Sequence, residues 1–281
     1  MNKKTLIYIL LIVLGITLIA YPFVSNYISL YKQASEISEY SENVKKIPEE
    51  KKKQELENAK TYNENLEHDT AVDLSLNKEE KNISKTNILK IGETIGYISI
   101  PMIQVYLPIY QGINKDILNS GVGHIEKTSL PVGGKNTHSV LAGHSGLART
   151  KIFDDIDKLK IGDRFYIHVL DEILIYQVDK IDVVKPDDTD TIKVEEDKDY
   201  VTLVTCTPRK KNTHRLLVRG TRVEKINEIN SIEQSIQSKQ EPTIQELKTE
   251  NKNKIYISIV VAILALILFL FIFFWDEIKK R

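Results

Sequence analysis

The chain contains its only cysteine in the stretch Val201-Thr202-Leu203-Val204-Thr205-Cys206-Thr207-Pro208. Valine and threonine favour β-strands, and Pro208 ends the run because proline cannot donate to a sheet ladder. The pattern predicts a buried strand that stops just beyond Cys206, with the thiol at the mouth of the strand. A nucleophile placed there can reach a substrate.

A second strand-like run follows a short polar turn and has the sequence Asn212-Thr213-His214-Arg215-Leu216-Leu217-Val218-Arg219-Gly220. Strands joined by a short loop are usually antiparallel neighbours, which places Arg215 and Cys206 near one end of the same sheet. Neighbouring residues of a strand alternate in direction, so only one of His214 and Arg215 faces the cleft. Arg219 shares the face of Arg215, and a surface ion pair is the alternative for both arginines.

The domain around these strands begins near Ile91 and extends over residues 91–226. Short strand-like runs recur through it, separated by Gly, Pro, Asp and Asn, and helical stretches are few. This pattern predicts a mainly β fold, a closed or nearly closed barrel that is large enough to bury its own core.

Two apolar runs bracket the barrel, each of about the 20 residues that cross a bilayer. The first, residues 6–24, predicts an uncleaved transmembrane anchor over 1–26, because no clear cleavage site follows it. The second, residues 255–275, is uncharged and precedes a basic tail at 276–281. Lysines and arginines beyond both spans predict two cytoplasmic termini and an extracellular middle.

Polar segments connect the spans to the barrel. Residues 27–90 predict a helical stalk broken at Pro48, with a solvated spacer favoured over a specific binding surface. Within it, residues 70–90 have no clear period and predict an extended connector, or equally a cover across the domain. Residues 227–254 predict a polar linker.

Composition excludes several classes of function. The formal net charge is zero and no basic run with interleaved aromatics occurs, which argues against a nucleic-acid partner. A single cysteine cannot form an intramolecular disulfide, so the thiol has no structural partner. No Cys/His metal spacing, phosphate loop or dinucleotide fingerprint is present, so neither a metal nor a cofactor is predicted. The acidic residues at 187–197 favour a solvated loop over a calcium site.

A cysteine attacks as its thiolate and needs a base or a cation nearby. The candidate bases are His124, His138 and His144. His144 follows a strand and lies in Gly143-His144-Ser145-Gly146, where the flanking glycines let an imidazole project into a cleft. We therefore predict His144 as the general acid and base, and a histidine satisfied in the core or at the surface is the alternative. Arg215 is predicted to hold a substrate carbonyl or a developing oxyanion.

Together these residues resemble the sortases, the membrane-bound cysteine transpeptidases of Gram-positive bacteria. Residues 202–206, Thr-Leu-Val-Thr-Cys, are similar to the family's TLxTC signature, and Gly143-His144 and Arg215 follow the family's order. The two spans and the runs at 121–124, 129–134 and 212–220 are most similar to the class C, pilus-building branch.

The resemblance implies an eight-stranded β-barrel, recognition of an LPxTG-like sorting signal, cleavage after its threonine, and transfer of the acyl group to a pilin lysine. It implies Cys206 as nucleophile, His144 as acid and base, and Arg215 as the oxyanion-stabilising residue. Three alternatives stay open: a housekeeping sortase with a peptidoglycan amine as acceptor, a hydrolase, and a catalytically silent module that binds the sorting signal.

The chain departs from the class C pattern at three places around the cleft. Members of that branch usually carry an Asp-Pro-aromatic lid motif, and residues 68–72 lack both the proline and the aromatic, so the sequence does not decide whether a lid plugs the site. Ser145 stands where an arginine is common, and Arg209-Lys210-Lys211 replaces a Tyr-Gly turn. These changes bear on the choice of substrate and acceptor.

Overall fold

Alternating apolar residues form eight strands in the computed structural model, which describes residues 3–66, 72, 74, 88–89, 91, 94–147, 151–209 and 211–223. The strands are β1 Thr94–Ile100, β2 Val105–Gln111, β3 Val122–His124, β4 Thr137–Ala142, β5 Arg164–Val169, β6 Glu172–Val184, β7 Asp199–Thr207 and β8 His214–Arg222. They close into a barrel in the order β1-β2-β3-β4-β7-β8-β6-β5. The prediction of a closed, eight-stranded, mainly β fold is confirmed.

Close packing fills the interior of the barrel. The rings of Phe165 and Tyr176 stack with centroids 5.6 Å apart, and β8 crosses them at Gly220. A Cβ atom at Gly220 would lie 2.5 Å from the Phe165 ring, so no other residue fits there without a shift of the core. The glycine lets β8 pass close over the aromatic pair.

In the part of the chain that the structure describes, three α-helices accompany the strands: α1 Lys3–Lys46, α2 Glu49–Glu64 and the short α3 Lys115–Ser120. The break between α1 and α2 falls at Pro48, as predicted, because proline disrupts the helical hydrogen-bond ladder. Two compact units divide the chain, one of Met1–Tyr31 with Asn230–Arg281 and one of Lys32–Ile229. The second unit contains the barrel, α2 and the end of α1.

The predicted solvated stalk differs from what the structure shows. Ile37, Tyr40 and Val44 of α1 are buried, and so is Ala59 of α2, which joins the hydrophobic core of the barrel. The hydroxyl of Tyr40 accepts a 2.8 Å hydrogen bond from the Leu170 amide. A narrow apolar stripe with three- and four-residue spacing is enough to dock an otherwise polar helix, and it is easily missed among the lysines and glutamates.

Among the described contacts, two polar ones attach helix α2 to the barrel. Asn63 forms a paired bridge with Leu130, in which Nδ2 donates to the Leu130 carbonyl (3.1 Å) and Oδ1 accepts from the Leu130 amide (2.7 Å). The ammonium of Lys52 binds the carboxylates of Asp171 and Glu49. The amide of Asn63 thus completes the hydrogen bonds of a loop that has no strand partner there.

One helix among the described residues is long and apolar enough to cross a membrane, in the segment Leu14–Lys46 of α1, which contains an 18-residue window with a mean hydropathy of 1.2. This finding is one of length and composition, and it is consistent with membrane anchoring near the N-terminus. The predicted linker, the second span and the basic tail, residues 227–281, lie outside the described residues.

We expect Asn63→Ala to lower the free energy of unfolding by about 1–3 kcal/mol, since it leaves the buried Leu130 amide without a partner, whereas the Leu130 carbonyl keeps its hydrogen bond from the Val132 amide. The matched control is Asn58→Ala, an exposed asparagine of the same helix, which should change stability by less than about 0.5 kcal/mol. Urea denaturation of both variants measures the difference. Equal effects would mean that α2 is not held by this bridge.

Candidate active site

Cys206 lies near the end of β7, and its Cα partner across the antiparallel β7–β8 ladder is Arg215. The predicted neighbourhood of thiol and guanidinium is therefore confirmed at the level of strand register. The cysteine is 4% exposed and belongs to an apolar cluster that includes Val204, Leu217 and Ala142. The thiol is thus surrounded by hydrocarbon on the barrel side.

Arg215 is a buried cation, only 3% exposed. Its Nη1 donates to the carbonyls of Asn212 (3.1 Å) and His214 (3.0 Å), and its Nε donates to the carbonyl of Leu74 (2.7 Å). No carboxylate among the described residues forms an ion pair with it. Its charge is solvated by neutral dipoles, so it remains available to a thiolate or an oxyanion.

His144 follows β4 by two residues, and β4 runs parallel to β7. Parallel strands end on the same side of the barrel, so His144 and Cys206 emerge at the same end. The histidine is partly buried, and the Phe153 amide donates to its carbonyl at 2.9 Å. The structure therefore brings together Cys206, Arg215 and the backbone that carries His144.

Burial shifts the ionisation of both groups toward their neutral forms. It raises the pKa of the Cys206 thiol above its ordinary value, and the positive charge of Arg215 offsets part of that rise. It lowers the pKa of the His144 imidazole. The closed site accordingly favours a neutral thiol beside a neutral imidazole, not a preformed ion pair.

The other two candidate histidines are core residues. In His124, Nε2 contacts the Ser129 carbonyl at 2.9 Å, and in His138 Nε2 contacts the Thr202 hydroxyl at 2.7 Å. Burial lowers the pKa of each to about 4. His138 pairs with Tyr200, six residues before Cys206 along β7. The alternative of a satisfied core histidine therefore holds for His138, whose two ring nitrogens both form hydrogen bonds, whereas the buried Nδ1 of His124 has no partner among the described residues.

Arg219 forms a surface ion pair, the alternative that the sequence left open for both arginines. Its Nε and Nη2 form a bidentate contact with Asp179 (3.1 and 2.9 Å), and its Nη1 contacts Glu195 at 3.0 Å. The guanidinium also lies 4.0 Å from the centroid of the Tyr200 ring. The charge of Arg219 is paired with these two carboxylates, so it is not available to the thiol.

Leu74 was not predicted as a site residue, yet it covers the site. Its side chain is fully buried in the same apolar cluster as Cys206, Val72 packs against that cluster, and the Leu74 carbonyl accepts from Arg215. The lid motif sought at residues 68–72 gave no indication of this contact. The available signal was weaker, namely two apolar residues spaced by two in a polar stretch.

The acidic loop between β6 and β7 is engaged by lysines. Lys193 contacts Asp190 at 2.6 Å, and Lys135 contacts Asp197 at 2.8 Å. Among the described residues, no group of His, Cys, Asp and Glu side chains is arranged to hold a metal ion.

We expect Leu74→Ala to accelerate alkylation of Cys206 by iodoacetamide at least about tenfold. Truncating a buried leucine removes about 2–5 kcal/mol of packing, and here that loss favours the uncovered state. The control is Leu89→Ala, a leucine buried in the barrel core cluster instead of the cysteine cluster. Intact mass spectrometry follows the adduct, and equal rates in wild type and Leu74→Ala would show that Leu74 does not restrict access.

Comparison with known proteins identifies the family. A family model described as "Sortase domain" matches residues 98–223. Sortase A of Bacillus anthracis is 30% identical over 225 residues, which cover 78% of this chain and 96% of that protein.

Two solved structures have a higher sequence identity to this chain. Sortase C of Streptococcus pneumoniae is 41% identical with a TM-score of 0.65, covering 68% of this chain and 97% of that one. Sortase C1 of GBS pilus island 1 is 40% identical with a TM-score of 0.65, covering 69% and 94%. The barrel, the register of cysteine against arginine and these likenesses lead to one conclusion: the chain belongs to the sortase family of cysteine transpeptidases, in its class C branch.

Proposed function

We propose that this sortase cleaves an LPxTG-like sorting signal after its threonine and transfers the acyl group to a lysine amine of a pilin, so that pilin subunits are polymerised. One observation carries the proposal: the register sets Cys206 directly opposite a buried Arg215 that has no ion pair among the described residues. That arrangement suits a reaction in which negative charge develops first on sulfur and then on oxygen.

In the first half-reaction the Cys206 thiolate attacks the carbonyl carbon of the signal's threonine. Arg215 donates hydrogen bonds to the oxyanion that forms; its Nε and Nη1 contact backbone carbonyls, whereas its Nη2 has no hydrogen bond to a described residue and can donate without breaking one. Protonated His144 gives its proton to the departing amine, the C–N bond breaks, and a thioester on Cys206 remains.

In the second half-reaction the acceptor is an amine. A free lysine has a pKa of about 10.4 and is mostly protonated at neutral pH, so neutral His144 takes its proton as the nitrogen attacks the thioester. The C–S bond breaks, an amide forms, and Cys206 is restored. One imidazole thus serves as acid and then as base.

The acceptor is proposed from the relatives. The solved neighbours include a "Pilus-related Sortase C of Group B Streptococcus", and the Streptococcus pneumoniae study concerns pilin substrate specificity. The amine of a peptidoglycan cross-bridge is the alternative acceptor and would define a housekeeping sortase.

We also propose the domain layout and topology that the sequence predicts. The catalytic barrel, 91–226, is extracellular, and spans at 1–26 and 255–275 place both termini in the cytoplasm. The positive residues beyond each span support this orientation.

Incubation of the full-length protein in detergent with an LPxTG peptide should yield a covalent acyl adduct, detected by intact mass spectrometry. We expect none in Cys206→Ala, and rates lower by about 10²–10⁴-fold in His144→Ala and about 10²–10³-fold in Arg215→Ala. His214→Ala and Arg219→Ala are matched controls at neighbouring positions of β8 and should form the adduct at a rate close to that of wild type.

Addition of acceptors then separates the alternatives. Transfer to a pilin lysine supports pilin polymerisation, transfer to a cross-bridge peptide alone indicates the housekeeping reaction, and release by water alone indicates a hydrolase. Peptide binding that leaves wild type free of adduct, with Cys206→Ala binding equally well, would establish the silent binding module.

The pH dependence of kcat/KM should be a broad bell. The acid limb follows His144, whose pKa is lowered, and the alkaline limb follows Cys206, whose pKa is raised. Because the reactive form needs thiolate and imidazolium together, only a small, pH-independent fraction is active between the limbs. In Leu74→Ala, rehydration should move both limbs inward and raise the plateau. A profile with one limb would contradict the requirement for both groups.

A further inference from the structure

The end of β4 is bonded to β7 in an unusual way next to the reactive groups. The last register pair is Ala142 with Val204, and the Gly143 amide then donates to the Val204 carbonyl at 3.0 Å. Beyond that bond, the described contacts between the two segments are hydrogen bonds from side-chain hydroxyl groups to backbone carbonyls. The Thr205 hydroxyl donates to the Gly143 carbonyl at 2.7 Å, and the Ser145 hydroxyl donates to the Cys206 carbonyl at 2.9 Å.

The backbone of His144 is held on both sides by these contacts. On one side lies β7, and on the other lies Phe153, whose amide donates to the His144 carbonyl. A Cβ atom on Gly143 would lie 2.6 Å from the Phe153 ring, so the chain passes closely over that ring. The strand end therefore has little room to move toward the core.

The imidazole of His144 has no hydrogen bond to any described residue, in contrast to its backbone. In Ser-His-Asp enzymes a carboxylate orients the histidine ring. Among the described residues nothing fills that role here, and burial alone shifts the imidazole's pKa. The position of the ring relative to the thiol is consequently set by the backbone of residues 143–145.

We propose that Ser145 is a positioning residue, whose hydroxyl ties the loop carrying His144 to the carbonyl of the nucleophilic cysteine and so sets the separation of imidazole and thiol. The proposal rests on the proposed function in taking His144 and Cys206 as the reacting pair. Ser145 is suited to it because its single side-chain rotor gives a short, stiff link, whereas the arginine common at this position in class C has a longer and more flexible side chain. A shift of about 1 Å in such a pair can lower a rate by about 10²-fold.

The test compares Ser145→Val with Ser145→Thr in the full-length protein in detergent. Threonine and valine have nearly the same shape and differ in the hydroxyl, so the pair isolates the hydrogen bond. We expect Ser145→Val to slow adduct formation with an LPxTG peptide by about 10- to 100-fold at an unchanged KM, and Ser145→Thr to restore most of the rate. Equal rates in the two variants would overturn the proposal.

A second comparison asks whether Ser145 acts through His144. In a His144→Ala background, Ser145→Val should produce no additional loss, because the group that it positions is already absent. A full additional loss in the double variant would mean that Ser145 acts independently of His144, which also overturns the proposal.

Thiol chemistry separates this proposal from the function on which it rests. The rate of Cys206 alkylation by iodoacetamide, measured against pH, needs no sorting signal. In wild type it should show a step from His144 ionisation, and in Ser145→Val it should converge on the profile of His144→Ala. If wild type forms no adduct with the peptide, the proposed function fails, while convergence of these profiles still supports positioning and unchanged profiles refute it.

A structural control lies at the far end of the same strand. The Thr137 hydroxyl donates to the Gly134 carbonyl at 2.6 Å, so Thr137→Val removes a bond of the same kind away from the site. It should leave the alkylation profile unchanged. If thermal unfolding shows that Ser145→Val does not fold, Ser145→Ala replaces it in every comparison and is judged by the same two criteria.

Discussion

The burial of the Arg215 guanidinium opposite Cys206 is the constraint on which the rest of the site depends. A buried cation normally has a carboxylate partner, because transfer of an unpaired charge out of water is expensive. Here three backbone carbonyls contact the guanidinium, two of them from the β7–β8 turn region and one from Leu74. A carboxylate would have neutralised the charge that the thiolate and the oxyanion require.

The carbonyl of Leu74 connects this charge to the cover of the site. While Leu74 is in place, Arg215 is solvated by it, and the apolar cluster around Cys206 is complete. Burial in this cluster raises the pKa of the thiol and favours its neutral form, and the charge of Arg215 offsets part of that rise. In the proposed reaction a substrate carbonyl binds the same guanidinium, so the contact of Arg215 with the Leu74 carbonyl resembles the one that catalysis uses.

The barrel supplies the geometry that these interactions need. Parallel pairing of β4 with β7 and antiparallel pairing of β7 with β8 bring three separate parts of the chain to one end. The helices of the N-terminal region stabilise that scaffold through two hydrogen bonds. Tyr40 bonds the Leu170 amide just after β5, and Asn63 bonds Leu130 in the loop before β4. No carboxylate among the described residues orients the histidine, so the geometry of the site depends on such a rigid frame.

The closed barrel and the neighbourhood of Cys206 and Arg215 could be predicted from the sequence alone. The alternating strands predicted the closed barrel, and the run ending at Cys206, with Arg215 just across a short loop, predicted their pairing, because strand period and loop length are local properties. The glycines around His144 indicated a strand end, and the parallel pairing of β4 with β7 places that end on the same side of the barrel as Cys206.

Only the tertiary structure decided how the polar N-terminal region is used. Ile37, Tyr40 and Asn63 dock onto the barrel, and Leu74 lies over Cys206, because each finds its partner at a distance of dozens of residues that no local pattern encodes. Tertiary contacts likewise distinguish the two arginines, which share a strand face. Arg215 contacts a backbone carbonyl of Leu74, whereas Arg219 pairs with the carboxylate of Asp179. Burial and charge pairing depend on what surrounds a side chain, and those surroundings exist only after the chain has folded.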